Sequence, residues 1–200
     1  MKKRNVLFLV LGVFSLNFSV VHSQTIVEGA PTLQIKTGGF ENSSGVVTAG
    51  MPWGIVVDTN SEGFSGLSSG NLVSFDLASL SYDPSNPFQL TFTSNEAGVY
   101  FYRATTNTES GGPFQGYIDT YANIPVNGTE DFSSTGDPFG ILFFESDAGF
   151  GSSYGFTAGS GVTLPNGNAG TLDYSSDFSP TSASLNIQAI PEPSAYATIL

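Results

Sequence analysis

Apolar and polar side chains alternate along this chain in short bursts. Leu33, Ile35 and Thr37 are interleaved with Gln34 and Lys36, and the burst stops at Gly38-Gly39. Phe88-Gln89-Leu90-Thr91-Phe92-Thr93 alternates strictly, as do Ala183, Leu185, Ile187 and Ala189 with Ser184, Asn186 and Gln188 between them. A period of two sends successive side chains to opposite faces, so each burst predicts a half-buried strand. Other runs are apolar without a break. Trp53–Asp58 ends in the polar turn Thr59-Asn60-Ser61-Glu62-Gly63, Val99–Arg103 follows the hairpin loop Asn95–Gly98, and Ile141–Glu145 follows Asp137-Pro138. A further strand is expected at Tyr154–Thr157, inside a Gly-rich stretch from Gly149 to Gly170. The closest approach to helical periodicity, near Leu72–Leu80, falls short of the 3.6-residue pattern, and no repeat of fixed period is present. The pattern predicts an all-β chain: a single-domain antiparallel β-sandwich, jelly-roll-like, spanning residues 24–189.

The first 23 residues follow a different rule. Met1-Lys2-Lys3-Arg4 precedes an apolar run from Val6 to Phe14, and a second apolar patch ends at Val21. A basic start, an apolar centre and small residues before a cut define a secretory signal peptide, with cleavage expected after Ser23 to leave Gln24 first. Ser15 and Asn17 interrupt the run, which is shorter than the roughly 18–20 apolar residues that span a bilayer.

Removing that leader sharpens the charge. Lys2, Lys3, Arg4 and His22 go with it, leaving Lys36 and Arg103 as two cations against 17 acidic residues, hence a net charge of −15. Nucleic acid and anionic membrane both demand clustered Lys and Arg, so neither is an expected partner; membrane contact is confined to export. There is no cysteine, and the fold must be held by its core alone.

The end of the chain carries the most specific motif. Ile190-Pro191-Glu192-Pro193-Ser194 follows the last alternating strand and opens an apolar stretch, Ala195–Leu200. Each proline fixes its own φ and holds its predecessor extended, so this linker presents itself open to a processing enzyme. With the leader, the tail at 190–200 resembles the PEP-CTERM family of sorting signals, in which the Pro-Glu-Pro triplet precedes a membrane helix and an Arg-rich cluster. The sequence stops at Leu200, short of both, and the tail reads as truncated. The resemblance covers the last ten or so residues and implies an address: a Gram-negative exporter, an exosortase-type enzyme as partner, and association with exopolysaccharide or biofilm matrix at the cell surface.

Chemistry is bounded mainly by what is missing. Without His or Cys after the leader, Ser-His-Asp and Cys-His nucleophiles are excluded, as are imidazole and thiolate zinc sites. Oxygen chemistry survives. Asp58, Asn60 and Glu62, followed by Gly63, place oxygens at alternate positions before a turn, as the start of a calcium loop does. The position that would supply an EF-hand's bidentate carboxylate is Ser69, so Ca²⁺ is the one cofactor entertained; otherwise none is expected. Asp137, Glu145 and Asp147 form a second acidic group, and Asp58, Glu96, Glu145 and Asp147 supply the carboxylates a paired-acid glycosidase requires. Trp53, Tyr100 and Tyr102 are the candidates for stacking against sugar, with core packing the competing use. Asn42 and Asn127 open N-x-S/T sequons. The expected function is that of a non-enzymatic structural or adhesive surface protein; a carbohydrate-binding module is the alternative, and a carboxylate-pair glycosidase the third.

Overall fold

A strand that is apolar on both faces belongs in the middle of a sheet covered on both sides. The computed structural model, which describes residues 29–109, 115–126, 132–179 and 181–191, places all three continuous runs at interior positions of one sheet. The strands are β1 (Thr32–Thr37), β2 (Trp53–Asp58), β3 (Phe88–Gln89), β4 (Val99–Arg103), β5 (Ile118–Asn123), β6 (Pro138–Phe144), β7 (Ser153–Thr163), β8 (Thr171–Asp173) and β9 (Leu185–Asn186). One helical turn, α1 (Ser65–Ser68), and a 3₁₀ turn at Leu77–Ser79 are the helical elements. Six strands form a sheet in the order β3-β4-β2-β6-β7-β9, and three form a second sheet in the order β5-β1-β8. All pairings are antiparallel except β1 with β8. The all-β, sandwich-like architecture is as the alternation pattern predicts.

β2 lies between β4 and β6, and each of its six residues is buried. Its inward side chains Trp53, Ile55 and Val57 meet Phe139, Ile141 and Phe143 of β6, then Leu33 and Ile35 of β1 and Ile118 of β5. This core fills the space between the sheets. Val56, Leu142, Phe101 and Phe144 point the other way, into a second core closed by Leu67, Leu72, Leu77 and Leu90. Phe101 and Phe144 meet there edge to face, with centroids 5.8 Å apart. The cover on this side is the largely irregular segment 64–92, so the molecule has three layers: small sheet, large sheet and a lid of turns.

That lid explains where expected strands are shortened. The burst at 88–93 keeps its alternation, with Leu90 and Phe92 buried and Gln89, Thr91 and Thr93 exposed. Only Phe88–Gln89 pairs with β4, because Val73 N then donates to Thr91 O and Thr93 N to Asn71 O. The burst at 183–189 is likewise trimmed to β9, flanked by single bridges from Ser182 to Glu41 and Gln188 to Val73. The Leu72–Leu80 segment contains no α-helix. Asp76 Oδ1 accepts from Ala78 N and Ser79 N and stops the backbone at one 3₁₀ turn.

In the Gly-rich stretch the strand is longer than expected: β7 runs from Ser153 to Thr163. Gly155 faces the Phe143 ring so closely that a methyl group would overlap it, so glycine here serves sheet packing. The leader with its cut between Ser23 and Gln24, the sequon at Asn127, and Glu192 and Pro193 lie outside the described residues; Pro191 is exposed.

Candidate ligand-binding cleft

β4 is paired along its outer edge at Tyr100 and Phe101, by the two residues of β3, and Val99 O accepts from Leu90 N. Beyond that point the segment Tyr102–Thr106 borders open space. The cleft formed there has a volume of about 200 Å³, and it is lined by this segment, by Trp53 and Ile55 of β2, by Thr120–Ile124 along β5, and by the loop at Ser81–Pro87. It therefore opens where the small sheet's edge strand faces the large sheet.

Three aromatic residues set its character. Trp53 lies in the core and is almost wholly covered, yet its Nε1 has no hydrogen-bond partner among the described residues. Tyr82, from the loop, is 49% exposed, and Tyr121, from β5, is 61% exposed. Large aromatics are usually drawn inward, so two exposed tyrosines bordering one cleft beside a buried indole give it an aromatic rim. Arg103 supports the loop. Its Nη1 donates to the carbonyls of Leu77 (2.7 Å), Ala78 (3.3 Å) and Leu80 (3.3 Å), and its guanidinium lies 4.3 Å from the Tyr82 ring centroid.

Of the aromatics expected to meet sugar, Trp53 and Tyr102 line the cleft and Tyr100 does not. Tyr102 is buried, and its hydroxyl lies 3.2 Å from Ser133 Oγ. Tyr100 packs against Phe132, with centroids 5.1 Å apart. The two tyrosines that dominate the rim, Tyr82 and Tyr121, escaped the sequence reading. Each carried a signal: Tyr82 is an aromatic within the turn sequence Ser81-Tyr-Asp-Pro-Ser-Asn-Pro, and Tyr121 shares its side of an alternating segment with Asp119.

The acidic residues have another use. Asp58 is fully buried at the end of β2, where Oδ1 accepts from Asn60 N (3.0 Å) and Oδ2 from Gly63 N (2.6 Å). Asn60 gives its side-chain amide to Ala97 O, and Glu62 is exposed. Of the three residues expected to hold calcium, Asp58 and Asn60 thus bond the loop and its neighbour, while Glu62 is exposed. Among the described residues no group of three or more His, Cys, Asp or Glu side chains is gathered for a metal. The same pattern recurs. Asp83 accepts from Ser85, Asp147 from Gly149 and Ser152, Asp173 from Ser175, Glu96 from Ser65 and Gly66, Glu145 from Ser43, and Asn42 from Ser44 and Val46. These acceptors satisfy backbone donors that turns leave unpaired.

Electrostatics follow from those bonds. Hydrogen bonds from the neighbouring serine hydroxyls hold Asp83, Asp147 and Asp173 below the ordinary carboxylate range. Asp137 is displaced the other way. Burial raises its pKa and the negative charge of Asp58 adds to the rise, while Ser134 N, at 2.7 Å from Oδ2, opposes it. Burial also pushes the Tyr154 hydroxyl up to about 12; it donates to Leu67 O at 2.8 Å. Lys36 pairs with Asp119 at 3.1 Å, both side chains about half exposed.

Comparison with protein-family models finds no match to this chain, and comparisons with curated proteins and with solved structures find none either. The class that fold and site define is an all-β, sandwich-like protein with an aromatic-rimmed cleft at the edge between its sheets.

Proposed function

We propose that this is an exported adhesive protein of a Gram-negative cell surface or biofilm matrix, which engages exopolysaccharide through the cleft at Trp53, Tyr82 and Tyr121. The observation that carries the reading is the pair of exposed tyrosines in one cleft lining with the buried Trp53 and Ile55. Pyranose rings present apolar C–H faces edged with hydroxyls, and such ligands suit flat aromatic surfaces interleaved with polar groups. Thr105, Thr120 and Asn123 supply polar groups along the same lining. At about 200 Å³ the cleft is smaller than the roughly 300–1,000 Å³ of typical small-molecule pockets, and it suits one saccharide unit of a passing chain.

The leader and the Pro191-Glu192-Pro193 tail support delivery through the secretory route and sorting by an exosortase-type enzyme. A binding role is favoured over hydrolysis because Asp83 is the one acid in the cleft lining and is bonded to Ser85, whereas glycosidases set two carboxyls across the scissile bond. Affinity electrophoresis of the purified protein through gels carrying neutral and acidic polysaccharides tests the reading. Retardation is expected with at least one polymer. Tyr121→Ala and Tyr82→Ala should each weaken it about tenfold, the loss of roughly 1–1.5 kcal/mol of aromatic contact, with the melting temperature held. Unretarded migration through every polymer, or full retention by both variants, refutes carbohydrate binding at this site.

A further inference from the structure

Arg103 offers more than loop support. After the leader only two cations remain in the chain, and Lys36 is paired with Asp119. Among the described residues Arg103 has no carboxylate within 4.0 Å, although acidic residues outnumber basic ones severalfold. Its hydrogen bonds all leave from Nη1. The other edge of the guanidinium, Nε with Nη2, bonds to nothing among the described residues. Among the described residues the buried polar side-chain atoms without a partner are Trp53 Nε1 and Glu96 Oε1, so the Arg103 edge reaches solvent. Arg103 lines the cleft.

We infer that the cleft recognises a carboxylated sugar, a uronic acid unit, whose carboxylate is taken bidentately by the Nε–Nη2 edge of Arg103 while its ring rests against Tyr82 or Tyr121. This rests on the carbohydrate-binding reading and narrows it. A guanidinium edge carries two parallel N–H donors at the spacing of carboxylate oxygens. Three backbone carbonyls and the Tyr82 ring fix this one in place, so little side-chain freedom is lost when it binds. Asp83, the one acid in the lining, is bonded to Ser85, and the acids elsewhere act at longer range and are screened beyond about 8 Å at physiological salt, whereas the Arg103 edge acts at contact.

The test changes the ligand and leaves the protein intact. Alginate, polygalacturonate and hyaluronate are each compared, at physiological ionic strength, with their carboxyl-reduced forms, in which every uronate becomes a neutral hexose on the same backbone. At least one acidic polymer should bind about tenfold or more tighter than its reduced form. Addition of that polymer should also shift the Nε–H NMR resonance of Arg103, one of two arginines in the chain. Arg103→Lys, with its fold checked by circular dichroism, should lose most of the preference because an ammonium lacks the paired edge. Equal or tighter binding of the reduced polymers, or an unmoved Arg103 resonance at saturation, overturns the uronate inference and leaves sugar binding standing. If no polymer of either kind binds, both fail together.

Discussion

Substituting Asp58 by Ala should cost roughly 2–4 kcal/mol of stability, because two part-buried backbone donors lose their acceptor at once. Asn60 N and Gly63 N bond to opposite oxygens of one fully buried carboxylate, at 3.0 and 2.6 Å. Hydrogen bonds to a charged group contribute about 1.5–3 kcal/mol each, and water reaching the exposed Asn60 and half-buried Gly63 recovers part of that. The loop holds Ser61 at φ 55° and Gly63 at φ 92°, conformations that relax once their anchor is gone. One term offsets the loss: without the Asp58 charge, part of the upward pressure on the Asp137 pKa disappears. Asp58→Asn retains one acceptor and should cost about half as much. Urea unfolding followed by tryptophan fluorescence measures both, since Trp53 is the single tryptophan and lies in the core. The decisive comparison adds EDTA. If the carboxylate works by bonding the loop's own amides, EDTA leaves the wild-type midpoint unmoved and the variants keep their full deficit. A fall in the wild-type midpoint to that of Asp58→Ala would mean that a bound cation holds the loop, and would refute this reasoning.

Asp137→Asn should stabilise the protein at neutral pH. A raised folded-state pKa favours the protonated form, so this group's contribution is present below the unfolded pKa and lost as pH rises through the folded one. The variant removes that loss; unfolding from pH 3 to 7 should show its advantage growing with pH, against the opposite trend expected from the lowered Asp83, Asp147 and Asp173. Gly155→Ala should lower stability by about 1–3 kcal/mol through overlap with Phe143, whereas Gly161→Ala, with open space around it but φ 73°, should cost only the backbone strain of about 1 kcal/mol. Thermal melts of the two variants check the contrast, and equal losses would remove the packing account.

The central strands were legible because their residues declare themselves twice, by β-branching and by unbroken apolarity. β5 was not. Its inward positions after Ile118 are Thr120 and Ala122, side chains too small or polar to register as a core face, and its burial comes from pairing with β1. β8 is three residues long and pairs in parallel with a strand far away in sequence, which local pattern does not reveal. The cleft inherits this difficulty, since one side of it is β5. Trp53 and Tyr102 could be nominated from composition, but Tyr82 and Tyr121 acquire meaning only when a loop and an edge strand meet. The acids mislead in the opposite direction: Asp58 at a strand end has the spacing of a cation ligand, and spacing alone does not say whether an ion or the backbone will use the oxygens.

The pairing of β1 with β8 also sets a clock. Thr32–Gln34 must wait for Thr171–Asp173, roughly 140 residues later, which at about 5–20 residues per second amounts to some 7–28 seconds of synthesis. Until then the small sheet lacks one of its three strands and the inter-sheet core lacks its final closure. Pairings so distant in sequence form slowly even in a finished chain. A polypeptide laid out this way stays incompletely folded throughout its own synthesis, and completes its small sheet only after its last strands have followed its first.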